Sequence, residues 1–246
     1  MSGHSKWATI KRSKAKTDSA RGKVFTKIIR EITTAAKTGG GDPGANPRLR
    51  LSIDKAKAAN MPKDNIERAI EKGVGGGGAA MEELTYEGFG PGGFAIIVNV
   101  MTDNRNRAAG EIRNTFDKHG GNLGSSGSVS YQFNRRGSIV FEKAGLDEDT
   151  LTMTAIDAGA EDILSEDKTV EVLTTPDSFE KVKNALQAGG FKPVQAEIAM
   201  IPTTTVKLTG EAAQKALKLV GLLEDHDDVQ EVFTNFDIDE EELEKA

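Results

Sequence analysis

Four consecutive glycines at residues 75–78 divide the chain into two parts with different hydrophobic periodicities. Before this run, apolar residues recur at the three- and four-residue spacing of amphipathic helices, whereas after it short β-rich segments alternate with helical ones. Glycine runs are flexible and have no side chains to pack, so we expect a domain boundary here. The sequence predicts a helical domain at residues 1–74, a glycine-rich linker at residues 75–80 and an α+β remainder.

Three amphipathic helices are predicted before the glycine run. The first starts after Thr17 or Asp18 and ends at the glycines of residues 39–41. The second has Asn46 as its N-cap, followed by proline at the first helical position, and Pro62 separates it from the third. Short helices of this kind bury their apolar stripes against one another in a small bundle.

Two ferredoxin-like βαββαβ domains are predicted after the linker, one inserted into the other. Residues 134–202 follow the order β-α-β-β-α-β within a single segment. The flanking segments, residues 81–133 and 203–246, each supply a β-α-β unit and together form a discontinuous domain. Its strands are predicted at residues 94–102, 129–133, 204–208 and 229–236. We place the insertion in the central hairpin of this domain, because surface turns tolerate insertions well.

Charge is also distributed unevenly along the chain. The chain has a net charge of −6, yet residues 1–72 contain 17 Lys and Arg against 7 Asp and Glu, a net of +10. Residues 73–246 contain 15 and 31, a net of −16. Residues 1–30 alone hold nine basic side chains and one acid, Asp18. Such a segment attracts phosphate backbones or other polyanions.

We predict that this basic segment binds nucleic acid. Trp7, the only tryptophan, lies among basic residues, where it either stacks on a base or folds back onto the helices. On the first predicted helix, Lys23, Lys27 and Arg30 lie at positions i, i+4 and i+7. They form one row that continues the basic residues before the helix. The predicted binding residues are Lys6, Trp7, Lys11, Arg12, Lys14, Lys16, Arg21, Lys23, Lys27 and Arg30.

A second contact with an anion or a partner is predicted at residues 104–107. Asn104, Arg105 and Arg107 lie at the start of a predicted helix, where unpaired backbone N–H groups and two guanidinium groups come together. A well-capped helix with solvated arginines explains the same residues equally well.

A cluster of acids, Glu224-Asp225-His226-Asp227-Asp228, follows the last long apolar stripe. Acids at a helix C-terminus oppose the helix macrodipole, so they do not stabilise the helix itself. A solvated turn is the simplest interpretation, and contact with a basic partner is the alternative.

No sequence pattern indicates catalysis, a metal or a cofactor. The chain has no Cys, and His4, His119 and His226 show no metal-binding spacing. A G-x-G-x-x-G match beginning at Gly88 precedes a strand instead of joining a strand to a helix, so we predict a tight turn there. No segment approaches the roughly 20 apolar residues of a membrane span. We expect a cytoplasmic protein with no membrane partner.

Several motifs resemble the YebC/PmpR family. They occur in order along the chain and are Gly3-His4-Ser5-Lys6-Trp7, Arg21-Gly22-Lys23-Val24-Phe25-Thr26-Lys27, Gly40-Gly41-Asp42-Pro43, Tyr86-Glu87-Gly88-Phe89-Gly90-Pro91-Gly92-Gly93, Thr102-Asp103-Asn104-Arg105-Asn106-Arg107 and Gly120-Gly121-Asn122-Leu123-Gly124. The resemblance covers essentially the whole chain. It implies a helical N-terminal domain and two α+β domains.

The resemblance implies a regulator of gene expression without catalytic activity. Bacterial members are described as transcriptional regulators that bind promoter DNA, and the mitochondrial relative is a translational activator. Bacterial members have also been linked to relief of ribosome stalling at proline-rich stretches. Two functions therefore stay open, a DNA-binding transcriptional regulator and a ribosome-associated translation factor that binds ribosomal RNA. Without a helix-turn-helix pattern, contact mainly through phosphates is expected for either nucleic acid.

Overall fold

The N-terminal part of the computed structural model consists of three packed helices, and the structure describes residues 18–77 and 80–239. The helices are α1 (Asp18–Gly39), α2 (Pro47–Ala58) and α3 (Lys63–Val74), and we call them the helical unit. The remainder contains, in chain order, β1 (Glu82–Phe89), β2 (Ala95–Thr102), α4 (Arg105–Lys118), β3 (Asn122–Leu123), β4 (Phe133–Glu142), α5 (Glu148–Ala158), β5 (Asp162–Ser165), β6 (Thr169–Thr174), α6 (Phe179–Ala188), β7 (Gln195–Pro202), β8 (Val206–Leu208), α7 (Gly210–Asp225), β9 (Val229–Thr234) and β10 (Phe236–Ile238).

Asn46 joins the end of α1 to the start of α2. Its side-chain oxygen accepts the Leu49 N–H at 3.1 Å, which confirms the predicted N-cap. Its amide nitrogen donates to the carbonyls of Ala35 and Gly40, both at 2.9 Å. The apolar stripes of the three helices pack into one cluster built from Ile28, Ile32, Ala35, Ala36, Leu49, Ile53, Ala56, Met61, Ile66 and Ala69.

The first sheet has the strand order β3-β1-β2-β9 with antiparallel neighbours. Ile96, Val98 and Val100 of β2 point to a core shared with α4 and α7. Ala95 and Ile97, on the opposite face, pack against side chains from β4 and β7. Because successive side chains of a strand alternate between faces, this double burial explains why β2 is apolar almost throughout.

Two strands of the first sheet region differ from the prediction. In the predicted ferredoxin-like order, residues 204–208 form the strand next to β2. In the structure β1 lies there, between β2 and β3, and the sequence analysis did not predict β1. The latter contain β8, which pairs in parallel with β10 in a separate two-stranded sheet and places Leu208 in the first core. The G-x-G-x-x-G match forms the turn of the β1–β2 hairpin, where Gly90 N–H bonds Phe94 O at 2.8 Å.

The second sheet has the order β5-β6-β4-β7, again with antiparallel neighbours. Numbered by chain position, this is the order 2-3-1-4 of a ferredoxin-like βαββαβ unit, and its core lies against α5 and α6. The predicted α+β class, with helices followed by antiparallel sheets, is confirmed.

The predicted strand at residues 129–133 is wrong apart from its last residue. Ser130–Gln132 form a 3-10 turn, and Phe133 is the first residue of β4. The reason lies in the buried Glu87 carboxylate, which accepts the backbone N–H groups of Gly127, Val129 and Ser130 at 2.7–2.8 Å. Burial alone would raise the pKa of Glu87, but these donors outweigh it and lower the pKa. N–H groups used in this way cannot enter a strand ladder.

The helical unit contacts both α+β parts. Leu51 packs against the core of the second sheet, and Lys183 of α6 bonds Asp54 of α2 at 2.9 Å. Thr34 of α1 approaches the sulfur of Met101 in β2 at 3.3 Å. Although the glycine run predicted a flexible boundary, these side-chain contacts hold the helical unit against the rest.

Gly73 allows α3 to pack closely on α1. A Cβ atom at this position would lie 2.5 Å from the carbonyl oxygen of Thr33 and 2.8 Å from the Cβ of Ala36. Both distances are too short for unstrained packing, so a side chain here would push the two helices apart.

Replacing Gly73 by alanine is expected to lower the free energy of unfolding by about 1–3 kcal/mol through overpacking. The matched control is Gly110→Ala in α4, where nothing lies within 4 Å of the added Cβ. Helix propensity predicts that the control is stabilised by about 0.5–1 kcal/mol. Urea unfolding of both variants measures the difference, and equal stabilisation of the two would contradict the close packing.

Candidate nucleic-acid interface

Four of the ten predicted nucleic-acid-binding residues lie in the described part of the chain, and all four are on α1. They are Arg21, Lys23, Lys27 and Arg30. The other six lie outside the described residues and stay predictions; they are Lys6, Trp7, Lys11, Arg12, Lys14 and Lys16.

The basic row, Lys23, Lys27 and Arg30, contacts the protein's own acidic turn, which we define as residues 224–228. Lys27 Nζ donates to the Glu224 carbonyl at 2.5 Å, and Lys23 Nζ donates to the Asp225 carbonyl at 3.4 Å. Arg30 donates to the Asp227 carbonyl at 2.7 Å. The predicted row therefore exists, and its cations face an internal negative group.

The position of these contacts follows from the end of α7. The last carbonyls of a helix have no partner within the helix and carry the negative end of its macrodipole. Lys23 and Lys27 donate to two of them, a known way to satisfy a helix C-terminus. Asp225 adds a side-chain contact to Lys23 at 3.9 Å. Cations of a distant helix thus offset acids that are unfavourable for α7 alone.

Asp228 is the buried member of the acidic turn, with only 4% of its side chain exposed. One carboxylate oxygen accepts Arg30 at 3.1 Å, and the other accepts Arg107 at 2.6 Å and Thr102 at 2.9 Å. Burial alone would raise the pKa of Asp228, but the hydrogen bonds from Arg107 and Thr102 and the charges of both arginines lower it. The carboxylate therefore stays ionised and joins α1, β2 and α4.

The predicted second contact lies beside this carboxylate. Asn104 caps α4 by accepting the Arg107 N–H at 3.0 Å, and the Arg107 guanidinium bonds Asp228 and, at 3.0 Å, Asp103. Arg105 is exposed. The two groups that the sequence predicted separately meet at Asp228, through Arg30 and Arg107. Whether Asn104, Arg105 and Arg107 bind an external anion stays a prediction.

The sequence analysis did not identify a second pair of basic residues, Arg48 and Lys55 on α2. Arg48 bonds Glu83 of β1 at 2.8 Å, and Lys55 bonds Glu231 of β9 at 2.9 Å and Glu31 of α1 at 3.3 Å. Burial alone would lower the pKa of the Lys55 ammonium, but Glu231, Glu31 and Glu197 raise it above its usual range. The i, i+7 spacing of Arg48 and Lys55 is the signal that would have identified this pair.

A cleft of about 700 Å³ lies between α1, α2, the first sheet and β7. Apolar side chains, among them Ile97, Met101 and Phe233, form part of its wall. Its charged lining mixes both signs and comprises Lys23, Lys27, Arg48, Lys55, Arg135, Glu31, Glu83, Glu197, Glu224, Asp225 and Glu231. A polyanion that approached the cleft would therefore meet carboxylates together with the cations.

His226 attaches the acidic turn to α4. Its Nε2 lies 2.9 Å from a Glu111 oxygen, and its Nδ1 accepts the Asp228 N–H at 3.1 Å. Within residues 18–77 and 80–239, His, Asp and Glu side chains form no group of three or more that could hold a metal ion. Across the same residues, the helices are too short or too polar to span a membrane.

Comparison with known proteins gives matches along almost the whole chain. Residues 5–76 match a family model described as the TACO1/YebC protein N-terminal domain, and residues 81–236 match one described as the TACO1/YebC second and third domain. Proteins named probable transcriptional regulatory protein in Geobacter sp. (strain M21) and Citrifermentans bemidjiense are each 59% identical over 246 residues, which cover 100% of this chain and 99% of theirs.

A solved structure has a similar fold. The crystal structure of a conserved hypothetical protein from Aquifex aeolicus superimposes with a TM-score of 0.83 at 48% sequence identity. The match covers 92% of this chain and 93% of that one.

Replacing Asp228 by asparagine is expected to lower the free energy of unfolding by roughly 1–3 kcal/mol, because Arg30, Arg107 and Thr102 lose a buried charged acceptor. Urea unfolding at neutral pH measures this. The matched control is Asp103→Asn, which removes the 49% exposed carboxylate bonded to the same Arg107 and is expected to change stability little. Equal losses in the two variants would contradict a special role for the buried carboxylate.

Comparison of the wild type with Asp228→Asn at different pH values gives a further prediction. Because the pKa of Asp228 is lower in the folded protein than in the unfolded chain, its contribution to stability is complete above the unfolded pKa of about 4. The contribution is lost as the pH falls through the folded pKa. Below about pH 4 the difference in unfolding free energy between wild type and Asp228→Asn should shrink. A difference that stays constant down to acid unfolding would count against the lowered pKa.

Proposed function

Because the chain belongs to the TACO1/YebC family, and relatives with 59% identity are named probable transcriptional regulatory proteins, we propose that it is a nucleic-acid-binding regulator of gene expression. We assign it the role of a DNA-binding transcriptional regulator that acts in the cytoplasm. The observation that carries the proposal is the concentration of nine Lys and Arg, against one Asp, in residues 1–30 of a chain with net charge −6.

In this proposal the basic segment binds nucleic acid by electrostatic attraction to its phosphates. Lys and Arg that neutralise phosphates release condensed counterions, which supplies affinity without reading the base sequence. The proposed contacts are Lys6, Trp7, Lys11, Arg12, Lys14, Lys16, Arg21, Lys23, Lys27 and Arg30, with Asn104, Arg105 and Arg107 as a secondary contact. The role requires no catalytic step, cofactor or metal. The predicted domains, residues 1–74, 134–202, and 81–133 with 203–246, are proposed as its functional units.

Salt dependence tests the proposal. If about six phosphates are neutralised, the logarithm of the binding constant for duplex DNA should fall with the logarithm of salt concentration at a slope of roughly −5. The test variant carries alanine at Lys11, Arg12, Lys14 and Lys16. Its slope should be shallower by up to about 4, one for each lost phosphate contact. Fluorescence anisotropy of a labelled duplex measures both slopes.

A matched control removes the same charge elsewhere. It carries alanine at the exposed residues Lys118, Lys181, Lys192 and Lys218. Because these residues lie outside the basic segment, the control should keep the wild-type slope. A slope near zero for the wild type, or equal changes in both variants, would overturn the proposed contacts.

A structured RNA of similar length is the competing ligand in the same assay. Preference for RNA over duplex DNA would support the alternative role as a ribosome-associated translation factor. In that case the wild type should sediment with ribosomal particles from a cell extract, and the variant in the basic segment should not. Preference for duplex DNA, with no sedimentation, would support the transcriptional role.

A further inference from the structure

The contact between the basic row and the acidic turn has the geometry of an ion-binding site that is already occupied. Nitrogens of Lys27, Arg30 and Lys23 lie 2.5, 2.7 and 3.4 Å from backbone oxygens of the turn, and Arg30 also reaches a carboxylate oxygen at 3.1 Å. Most of these distances are those at which a cation binds a phosphate oxygen. The turn therefore occupies the positions that a phosphate backbone would take along α1.

The acidic turn is held in place from its other side. Asp228 is bonded by Thr102 and Arg107, and His226 contacts Glu111, so β2 and α4 fix the turn while it faces α1. Because the turn carries four carboxylates, its field repels an approaching phosphate. A phosphate backbone that takes all of these contacts must therefore separate the row from the turn.

The contact is also of a kind that can open. Lys23 and Asp225 have 49% and 65% of their side chains exposed, and pairs of this type are weak and screened by salt. The apolar cluster of the helical unit is built from residues of α1–α3 and the short segment between α2 and α3. Ion pairs join the unit to the rest at Arg30, Arg48 and Lys55, beside the apolar contact of Leu51, so we treat the unit as a body that can move once these pairs separate.

We propose that the acidic turn is an internal phosphate mimic that inhibits binding of nucleic acid to the basic row. Nucleic acid displaces the turn, and the helical unit then separates from the C-terminal end of α7. The row becomes available to phosphates once the turn has moved away. This inference rests on the proposed function, since it assigns the regulation of the same site.

The first test compares affinities after weakening the turn. The variant Asp225→Asn with Asp227→Asn removes two charges from the turn and leaves every cation of α1 in place. The matched control, Asp149→Asn with Asp157→Asn, removes two charges from exposed positions on α5. We expect the turn variant to bind duplex DNA at least about fivefold more tightly than the control, the lower end of usual coupling between sites.

The outcomes separate this inference from the proposed function. If the wild type binds DNA and the two variants gain affinity equally, net charge explains the gain and the mimic is overturned alone. If neither the wild type nor the turn variant binds DNA or RNA at low salt, the proposed function fails and the mimic fails with it. A gain confined to the turn variant supports both.

The second test measures opening directly. The chain contains no Cys, so spin labels can be placed at single cysteines introduced at Glu71 of α3 and Asn114 of α4, both exposed. Pulsed electron paramagnetic resonance should show a longer or broader distance distribution when duplex DNA is added. Without nucleic acid, high salt should produce the same change because the contact is ionic. A distribution unchanged under both conditions would overturn the inference.

Discussion

Attraction between a cationic helical unit and two acidic α+β parts determines how this protein is assembled. The helical unit has its own apolar cluster, and of its apolar side chains Leu51 also packs against the core of the second sheet. Cations of α1 and α2 add ionic contacts, from Arg30 to Asp228, Arg48 to Glu83 and Lys55 to Glu231. Such an interface depends on ionic strength far more than an apolar one does.

Asp228 shows how a locally unfavourable feature becomes favourable in the folded protein. Acids that follow a helix C-terminus oppose its macrodipole, and α7 gains nothing from them. In the tertiary structure the same carboxylate is buried and bonded by Arg30, Arg107 and Thr102. A buried carboxylate with several charged and polar donors resists protonation and fixes the elements around it. The acidic turn therefore connects parts of the structure, and its negative groups bind the cations of α1 within the protein.

This arrangement changes how the charge asymmetry of the chain bears on function. The net charge of +10 on residues 1–72 predicted a surface that binds a polyanion. Part of this positive charge is paired with carboxylates of the same protein. Cations in these pairs contribute less to the long-range positive field than the unpaired charge count suggests. Under the proposed mechanism, internal carboxylates and external phosphates compete for the basic row of an otherwise acidic protein.

Local features of the fold followed from the sequence, whereas the pairing of distant groups did not. Asn46 and the proline after it predicted the start of α2, and alternating segments predicted the ferredoxin-like second sheet, because caps and periodicity depend on neighbouring residues. Strand β1 was missed because its acids and its glycine at position 88 have low strand propensity, and pairing on both sides overrides that preference. The sequence by itself determined the helices, the ferredoxin-like second sheet, the α+β class and the basic segment. Only the tertiary structure decided that Lys23, Lys27 and Arg30 face residues 224–228, since ionic partners about two hundred positions apart meet only after the chain has folded.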